Sequence, residues 1–110
     1  MDNATATLRL AALAQETRLA IYRALVQAGP AGLNPGAISD ALGTAQATLS
    51  FHLKELKHAG LVQARQESRF KFYSADFNAM NELLAFLTDN CCAGEAGSCE
   101  LPSHCKETKR

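Results

Sequence analysis

The segment TAQATLSFHLKELKHAGLV, residues 44–62, decides the fold of this chain. At about 3.6 residues per turn, its apolar and small residues recur on one side of a helix, which predicts a face that packs on a core. These inward positions are Ala45, Leu49, Leu53, Leu56 and Gly60. The opposite side carries Ala47, Ser50, Phe51, Lys54 and His58. After Gly60 the period changes, which indicates that the helix ends and a strand begins.

The outward side of this helix has the composition expected of a surface that contacts nucleic acid. None of its five residues is acidic. Small side chains allow a helix to approach base edges in the major groove, and basic side chains meet phosphates. An ordinary solvated surface helix has a similar pattern, so the flanking segments must decide between the two interpretations.

Those flanking segments predict a helix-turn-helix followed by a hairpin. Asn34–Pro35 is typical of an N-cap followed by proline at the first helical position, and the helix it opens ends at Gly43. Two helices joined by a tight turn containing glycine form a helix-turn-helix. Residues 61–66 and 69–74 are predicted strands around Glu67–Ser68. In the second strand, Arg69, Lys71 and Tyr73 share one face, and Phe70 and Phe72 share the other. This hairpin is either a basic wing that contacts DNA or a two-stranded cap on the core.

Three further helices complete the predicted domain, which spans residues 1–90. Residues 2–14 predict a first helix with few charges, so a second subunit should cover part of it. Residues 12–30 predict a well-buried helix, whose apolar positions are Leu19, Ile21, Tyr22, Leu25 and Val26. Residues 76–90 predict a last helix that serves as core and dimer interface. Its apolar positions are Phe77, Met80, Leu83, Leu84 and Leu87. The fold class is therefore mainly α with a small β-hairpin, a winged helix-turn-helix, as a homodimer.

Charge and hydropathy limit the function. The chain has 110 residues, with 11 basic and 11 acidic side chains. The distribution is uneven, since residues 1–75 carry eight basic and five acidic groups. A local basic patch on a neutral protein is suited to specific nucleic-acid binding. There is no secretory signal and no long apolar run, so we expect a cytoplasmic protein without a membrane partner.

All four cysteines lie in the last 20 residues, at Cys91, Cys92, Cys99 and Cys105. A disulfide-stapled scaffold would distribute them through the fold, so this clustering indicates a ligand or redox site. We expect residues 91–110 to form a flexible tail that binds an inducer. Catalysis is not indicated. There is no Cys-x5-Arg loop, no Cys-x-x-Cys after a strand and no recognisable Ser/His/Asp constellation.

Two motifs give the chain a resemblance to a known family. ALAQETRLAIYRAL, residues 12–25, resembles the second-helix signature of the arsenical-resistance repressor (ArsR/SmtB) family of winged-helix metal sensors. LGTAQATLSFHLKELKHAGLV, residues 42–62, resembles its recognition-helix segment. The resemblance covers roughly residues 8–90. Glu16 stands where the family often has proline, and Ser68 replaces the usual turn glycine. Ala45 replaces a capping serine, so we expect Thr44 to cap the helix.

The resemblance implies a homodimer that binds an inverted-repeat operator in double-stranded DNA. It places base contacts on Gln46, Thr48 and Ser50. It places phosphate contacts on Lys54, Arg65, Arg69 and Lys71. Phe51 either touches a thymine methyl group or packs under the wing. We expect His52 to be structural and His58 to be solvated.

The resemblance also implies release of the DNA by a metal or metalloid. Some arsenite-responsive members similarly carry a vicinal cysteine pair after the last helix and a third cysteine nearby, so the predicted site is Cys91, Cys92 and Cys99. Three thiols condense with As(OH)3 into a neutral pyramidal complex, which makes As(III) the expected inducer, with Sb(III) beside it. Zinc or cadmium, completed by His104 and Cys105, is an alternative. Thiol oxidation is another.

Overall fold

The computed structural model describes residues 1–89, which form five helices and one antiparallel hairpin. The helices are α1 Asn3–Leu13, α2 Glu16–Ala28, α3 Pro35–Leu42, α4 Gln46–His58 and α5 Phe77–Leu87. The strands are β1 Val62–Glu67 and β2 Phe70–Ala75. This order matches the predicted winged helix-turn-helix. Within residues 1–89, no helix has the length and apolar character needed to cross a membrane.

Polar side chains fix where four of these helices begin. Asp2, Gln15, Asn34 and Asp76 precede α1, α2, α3 and α5, and each accepts a hydrogen bond from the backbone N–H three residues ahead. Each cap satisfies a donor that the first turn leaves unpaired. The Gln15 cap explains why the predicted helices over 2–14 and 12–30 do not overlap. The chain leaves the helical conformation at Gln15 and starts α2 afresh.

The core lies beneath α4. Seven large side chains of this core are almost completely buried, namely Ile21, Leu25, Ile38, Leu49, Leu53, Leu56 and Leu61. The predicted inward face of α4 is thus confirmed at its three leucines. Ala45 is exposed instead, because it is the extended residue that precedes the helix. The prediction of a well-buried α2 is right only in part. Leu19 and Val26 are exposed, since only one side of a helix can face the core.

The loop between α2 and α3 is joined to the hairpin by backbone hydrogen bonds. Leu33 donates to the Tyr73 carbonyl at 2.9 Å and accepts from the Tyr73 N–H at 2.8 Å. Gly32 makes this approach possible. It has a φ of +74°, and a Cβ at that position would overlap the Tyr73 carbonyl oxygen. The base of the hairpin is therefore fixed to the helix-turn-helix.

Each strand of the hairpin begins one residue later than predicted, and the pairing runs from Val62 opposite Ala75 to Glu67 opposite Phe70. Ser68 and Arg69 form the turn, and Ser68 has a φ of +60°. A positive φ at the first residue of a two-residue turn usually requires glycine. Arg69 therefore belongs to the turn, and the prediction that it shares a strand face with Lys71 and Tyr73 is wrong.

Helices α1 and α5 pack against each other outside the main core. Ala6 of α1 and Ala79 and Leu83 of α5 are all buried. The Arg9 side chain donates to the Ala79 carbonyl at 2.9 Å and so joins α1 to α5. The outer sides of both helices expose leucines, which are Leu8 and Leu10 on α1 and Leu84 and Leu87 on α5.

Candidate nucleic-acid interface

Helix α4 turns its predicted contact residues to solvent. Gln46, Thr48, Ser50 and Lys54 are all exposed. Within residues 1–89, none of these four side chains takes part in a hydrogen bond or ion pair. Their polar groups can therefore bind an incoming ligand without first breaking a bond inside the subunit.

The start of α4 differs from the prediction. Ala45 is the N-cap and supplies no side-chain hydrogen bond, so Thr44 does not cap the helix. The Thr44 carbonyl instead accepts a hydrogen bond of 2.6 Å from the Ser39 hydroxyl, which fixes the turn between α3 and α4. Since no side chain caps α4, its first-turn N–H groups can donate to a phosphate oxygen.

His52 faces the interior of the subunit, as predicted. It is buried, and its Nδ1 lies 3.4 Å from Nη1 of Arg18. Arg18 also donates through Nε to the Ala12 carbonyl at 2.7 Å. It therefore links the end of α1 to the recognition helix. The sequence reasoning did not assign this role, because Arg18 and His52 are 34 residues apart and no local pattern relates them.

Phe51 has the opposite orientation to its neighbour. Its side chain is 56% exposed and contacts the His52 ring edge-on, with the centroids 5.4 Å apart. The exposed ring shows that Phe51 does not pack under the hairpin, so the alternative that placed it there is wrong. His58 is the last residue of α4 and is exposed as predicted.

The three cations predicted on the hairpin point in different directions. Arg69 lies in the exposed turn. Lys71 is on the face shared with Tyr73, where its Nζ lies 5.9 Å from the centre of the Tyr73 ring. Arg65 pairs with Phe72 and so lies on the other face. The hairpin therefore presents positive charge at its tip and on both faces.

Arg65 is the one of these cations that is already bound within the subunit. Its Nε lies 2.8 Å from Glu67, and its Nη2 donates to the Ala31 carbonyl at 2.9 Å. Its guanidinium also stacks over Phe72, 5.0 Å from the ring centre. A phosphate would have to compete with Glu67 for this side chain. Within residues 1–89, Arg69 and Lys71 have no such acidic partner.

Comparison with known proteins now adds to this geometry. A family model described as a helix-turn-helix domain matches residues 13–63. Transcriptional activator HlyU of Vibrio cholerae is 38% identical over 86 residues, which cover 76% of this chain and 77% of HlyU. Its solved structure superposes with a TM-score of 0.63 at 37% identity, over 79% of this chain and 97% of that one.

A homodimeric winged helix-turn-helix domain from Mycobacterium bovis, described as a possible ArsR-family regulator, has a TM-score of 0.63 at 29% identity. The match covers 84% of this chain and 85% of that domain. This chain belongs to the ArsR-type winged helix-turn-helix transcriptional regulators. Membership of the ArsR family confirms the predicted winged helix-turn-helix fold, and the relatives HlyU and YceK are named as transcriptional regulators.

Two further relatives are longer than the region they share with this chain. The regulator YceK of Bacillus subtilis is 40% identical over 63 residues, which are 57% of this chain and 62% of YceK. Nodulation protein NolR of Rhizobium meliloti is 34% identical over 80 residues, which are 73% of this chain and 63% of NolR. The chain thus spans under two thirds of the length of these two proteins.

The predicted metalloid site of this ArsR-family member lies outside the described residues. Cys91, Cys92 and Cys99 all follow residue 89, as do His104 and Cys105. Among residues 1–89, no cluster of three or more His, Cys, Asp or Glu side chains has a geometry that could hold a metal ion. The assignment of the site to the cysteines therefore stays a prediction.

Proposed function

We propose that this chain is a transcriptional repressor that binds an inverted-repeat operator as a homodimer and is released when As(III) or Sb(III) binds Cys91, Cys92 and Cys99. The observation that carries the DNA-binding part is the outer side of α4. Gln46, Thr48, Ser50 and Lys54 are all exposed on this helix and have no partners inside the described chain. Such a surface can donate and accept hydrogen bonds at base edges and contact phosphate.

The exposed apolar side chains of α1 and α5 support the dimer. Leu84 is 40% exposed and Leu87 is 52% exposed, at the same end of α5. Burying such leucines against a second copy is favourable, and the related Mycobacterium bovis domain is described as homodimeric. A two-fold dimer presents two α4 helices, which matches the symmetry of an inverted repeat.

The cysteine spacing supports a trivalent metalloid as inducer. Cys91 and Cys92 are adjacent and Cys99 follows within eight residues, so the three sulfurs can close on one atom at a small entropic cost. As(OH)3 exchanges three hydroxyls for three thiols and releases three waters, which leaves a neutral complex. Zinc prefers four tetrahedral ligands and is poorly served by two adjacent cysteines.

Two alternatives have specific support. His104 and Cys105 would add the further ligands that zinc or cadmium requires. Thiol oxidation is favoured by the relative HlyU, one of whose structures is described as reduced.

HlyU is also named an activator, so repression needs its own test. Expression of a reporter gene placed behind the bound operator should rise when the gene for this chain is deleted. A fall would mean activation.

The operator is obtained first, by selecting duplexes that the full chain binds from a random library. Fluorescence anisotropy on a selected duplex then measures affinity as arsenite, antimonite, zinc or cadmium is added. A phosphine reductant is used throughout, because dithiols themselves bind arsenic. Arsenite should lower operator affinity while circular dichroism stays constant. An unchanged affinity at saturating arsenite would refute the proposed switch.

Single serine substitutions divide the four cysteines. Cys91→Ser, Cys92→Ser and Cys99→Ser should each bind the operator normally and lose the arsenite response. Cys105→Ser is the matched control and should still respond. Loss of the response in Cys105→Ser, or its retention in Cys92→Ser, would contradict the three-sulfur site.

Proton release separates the metalloid from zinc. Condensation of thiols with As(OH)3 releases water and no net protons, whereas Zn²⁺ must displace thiol protons. Arsenite should therefore act at similar concentrations at pH 6 and pH 8, and zinc should act much more weakly at pH 6. The peroxide experiment is run without the phosphine. Release of the operator by peroxide, reversal when the phosphine is then added, and no release by arsenite would together favour the oxidation switch.

A further inference from the structure

Phe51 is a large apolar residue in the middle of a polar surface. At about 100° per residue, it lies nearly opposite the buried Leu49 and Leu56 on α4. Its flanks on the same side are Ala47 and Lys54. Ala47 is too small to cover the ring, and 56% of the side chain stays exposed within the described chain.

The orientation of the ring is fixed by its own helix. The edge-on contact with His52 holds one side of the Phe51 ring, and His52 is itself held beside Arg18. The phenyl group is therefore presented outward from a buried support. An aromatic side chain has only two rotatable side-chain bonds, so little conformational entropy is lost when such a ring is covered.

The proposed ligand of α4 offers one apolar group that can cover this ring. In the major groove the base edges present hydrogen-bond donors and acceptors, except at thymine, which also presents its 5-methyl group. Lys54 lies one turn from Phe51 and supplies the positive charge that a neighbouring phosphate requires. Phe51 therefore has an apolar partner only where the operator places a thymine beneath it.

We propose that Phe51 is a specificity-determining residue that packs on the 5-methyl group of one thymine in each operator half-site. This inference rests on the proposed function, because it needs α4 in a major groove. It adds an apolar contact to the base contacts assigned to Gln46, Thr48 and Ser50. The predicted discrimination is against uracil, which differs from thymine only by that methyl group.

The test replaces each thymine of a selected operator by deoxyuridine, one position at a time, and measures affinity at fixed salt. For the wild-type protein, one position in each half-site should weaken binding about fourfold, the value for burying one methyl-sized group. Changing both half-sites should weaken binding about fifteenfold. Phe51→Ala and Phe51→Gln should bind the thymine and uracil duplexes equally well.

Phe70→Ala is the matched control, because Phe70 is also 56% exposed but lies on the hairpin. It should retain the full discrimination against uracil. Circular dichroism of Phe51→Ala and Phe51→Gln should match the wild type, since the side chain is outside the core. If one of these two variants fails to fold, the other carries the comparison.

The outcomes separate this inference from the proposed function. If the wild type selects and binds no duplex, the DNA-binding proposal itself fails. If it binds but uracil is tolerated at every position, or if the Phe51 variants discriminate as the wild type does, the assignment to Phe51 is wrong while the operator-binding proposal stands. A selected half-site without thymine would refute the assignment in the same way.

Discussion

At the scale of single residues, Tyr22 carries a buried hydroxyl group that the described residues leave unpaired. Its ring is buried in the core, and its hydroxyl has no hydrogen-bond partner within residues 1–89. Burial raises the pKa of Tyr22 above its usual value, and the nearby charge of Asp76 raises it further. The folded protein therefore prefers the neutral phenol more strongly than the unfolded chain does.

The first prediction concerns Tyr22→Phe. Below about pH 10, where both states hold the proton, removing an unpaired buried hydroxyl should leave the free energy of unfolding unchanged or raise it by up to about 1 kcal/mol. As the pH rises above about 10, the unfolded chain loses this proton first, so the wild type should lose stability. Urea unfolding at pH 7 and pH 10.5 should show a smaller alkaline loss for Tyr22→Phe.

Tyr73→Phe is the control for this measurement, because Tyr73 lies on the hairpin and its ring is half-exposed. A smaller alkaline loss in Tyr22→Phe than in Tyr73→Phe would assign the loss to the buried Tyr22. An alkaline loss in Tyr22→Phe that equals the wild-type loss would show that other groups cause it.

At the scale of elements, the hairpin is a wing whose cations are not equivalent. Arg65 is bound by Glu67 and the Ala31 carbonyl, whereas Arg69 and Lys71 carry no acidic partner within residues 1–89. We expect Lys71→Gln or Arg69→Gln to remove one phosphate contact per subunit. In a dimer, the slope of log affinity against log salt should then fall in magnitude by about 2.

The paired variant Arg65→Gln/Glu67→Gln removes one positive and one negative charge from the hairpin and so keeps its net charge constant. If Arg65 contacts phosphate, this variant should show the same loss of slope as Lys71→Gln. If its charge serves only the hairpin, the salt slope should stay at the wild-type value. Equal slopes for the wild type, Arg69→Gln and Lys71→Gln would refute the wing as a DNA contact.

The sequence predicts the elements well where the periodicity is local. The leucines of α4 recur with the helical period, and Asn34–Pro35 marks the start of α3 as expected. The misplaced details depend on contacts between distant residues. Thr44 does not cap α4, since the N-cap position is Ala45 and the Thr44 carbonyl is instead bound by Ser39, and Arg65 is held by Ala31, 34 residues away. The strand register depends on a positive φ at Ser68, which is an unusual residue for that conformation.

The candidate site divides in the same way. Exposure of Thr48, Ser50 and Lys54 follows from the period of α4 once Leu49 and Leu53 face the core, whereas Gln46 is exposed as the first residue of the helix. The role of Arg18 beside His52 requires the packing of α2 against α4, which no segment of the sequence contains by itself. The predicted metalloid site consists of residues after 89, so its prediction rests on the sequence of that segment alone.

At the scale of the whole molecule, the described subunit leaves apolar surface uncovered at one pair of helices. Leu8 and Leu10 of α1 and Leu84 and Leu87 of α5 are exposed, although the two helices already contact each other and bury Ala6 and Ala79. Arg9 fixes that packing by its hydrogen bond to the Ala79 carbonyl. A second subunit that packs on this surface would contact two helices that are already held together.

The last prediction tests this surface with Leu84→Lys/Leu87→Lys. Because both leucines are largely outside the core, the double variant should keep the wild-type helix content, whereas two buried charges should break a dimer interface. Sedimentation should therefore show a monomer where the wild type is a dimer. The variant should bind a full inverted repeat no more tightly than a single half-site, since a monomer has only one recognition helix and cannot occupy two half-sites about 34–36 Å apart.

Leu19→Lys is the matched control, because Leu19 is 42% exposed on α2, and it should remain dimeric. A dimeric double variant would place the interface elsewhere. A monomeric variant that still prefers the full repeat would show that the two half-sites are not read by one dimer.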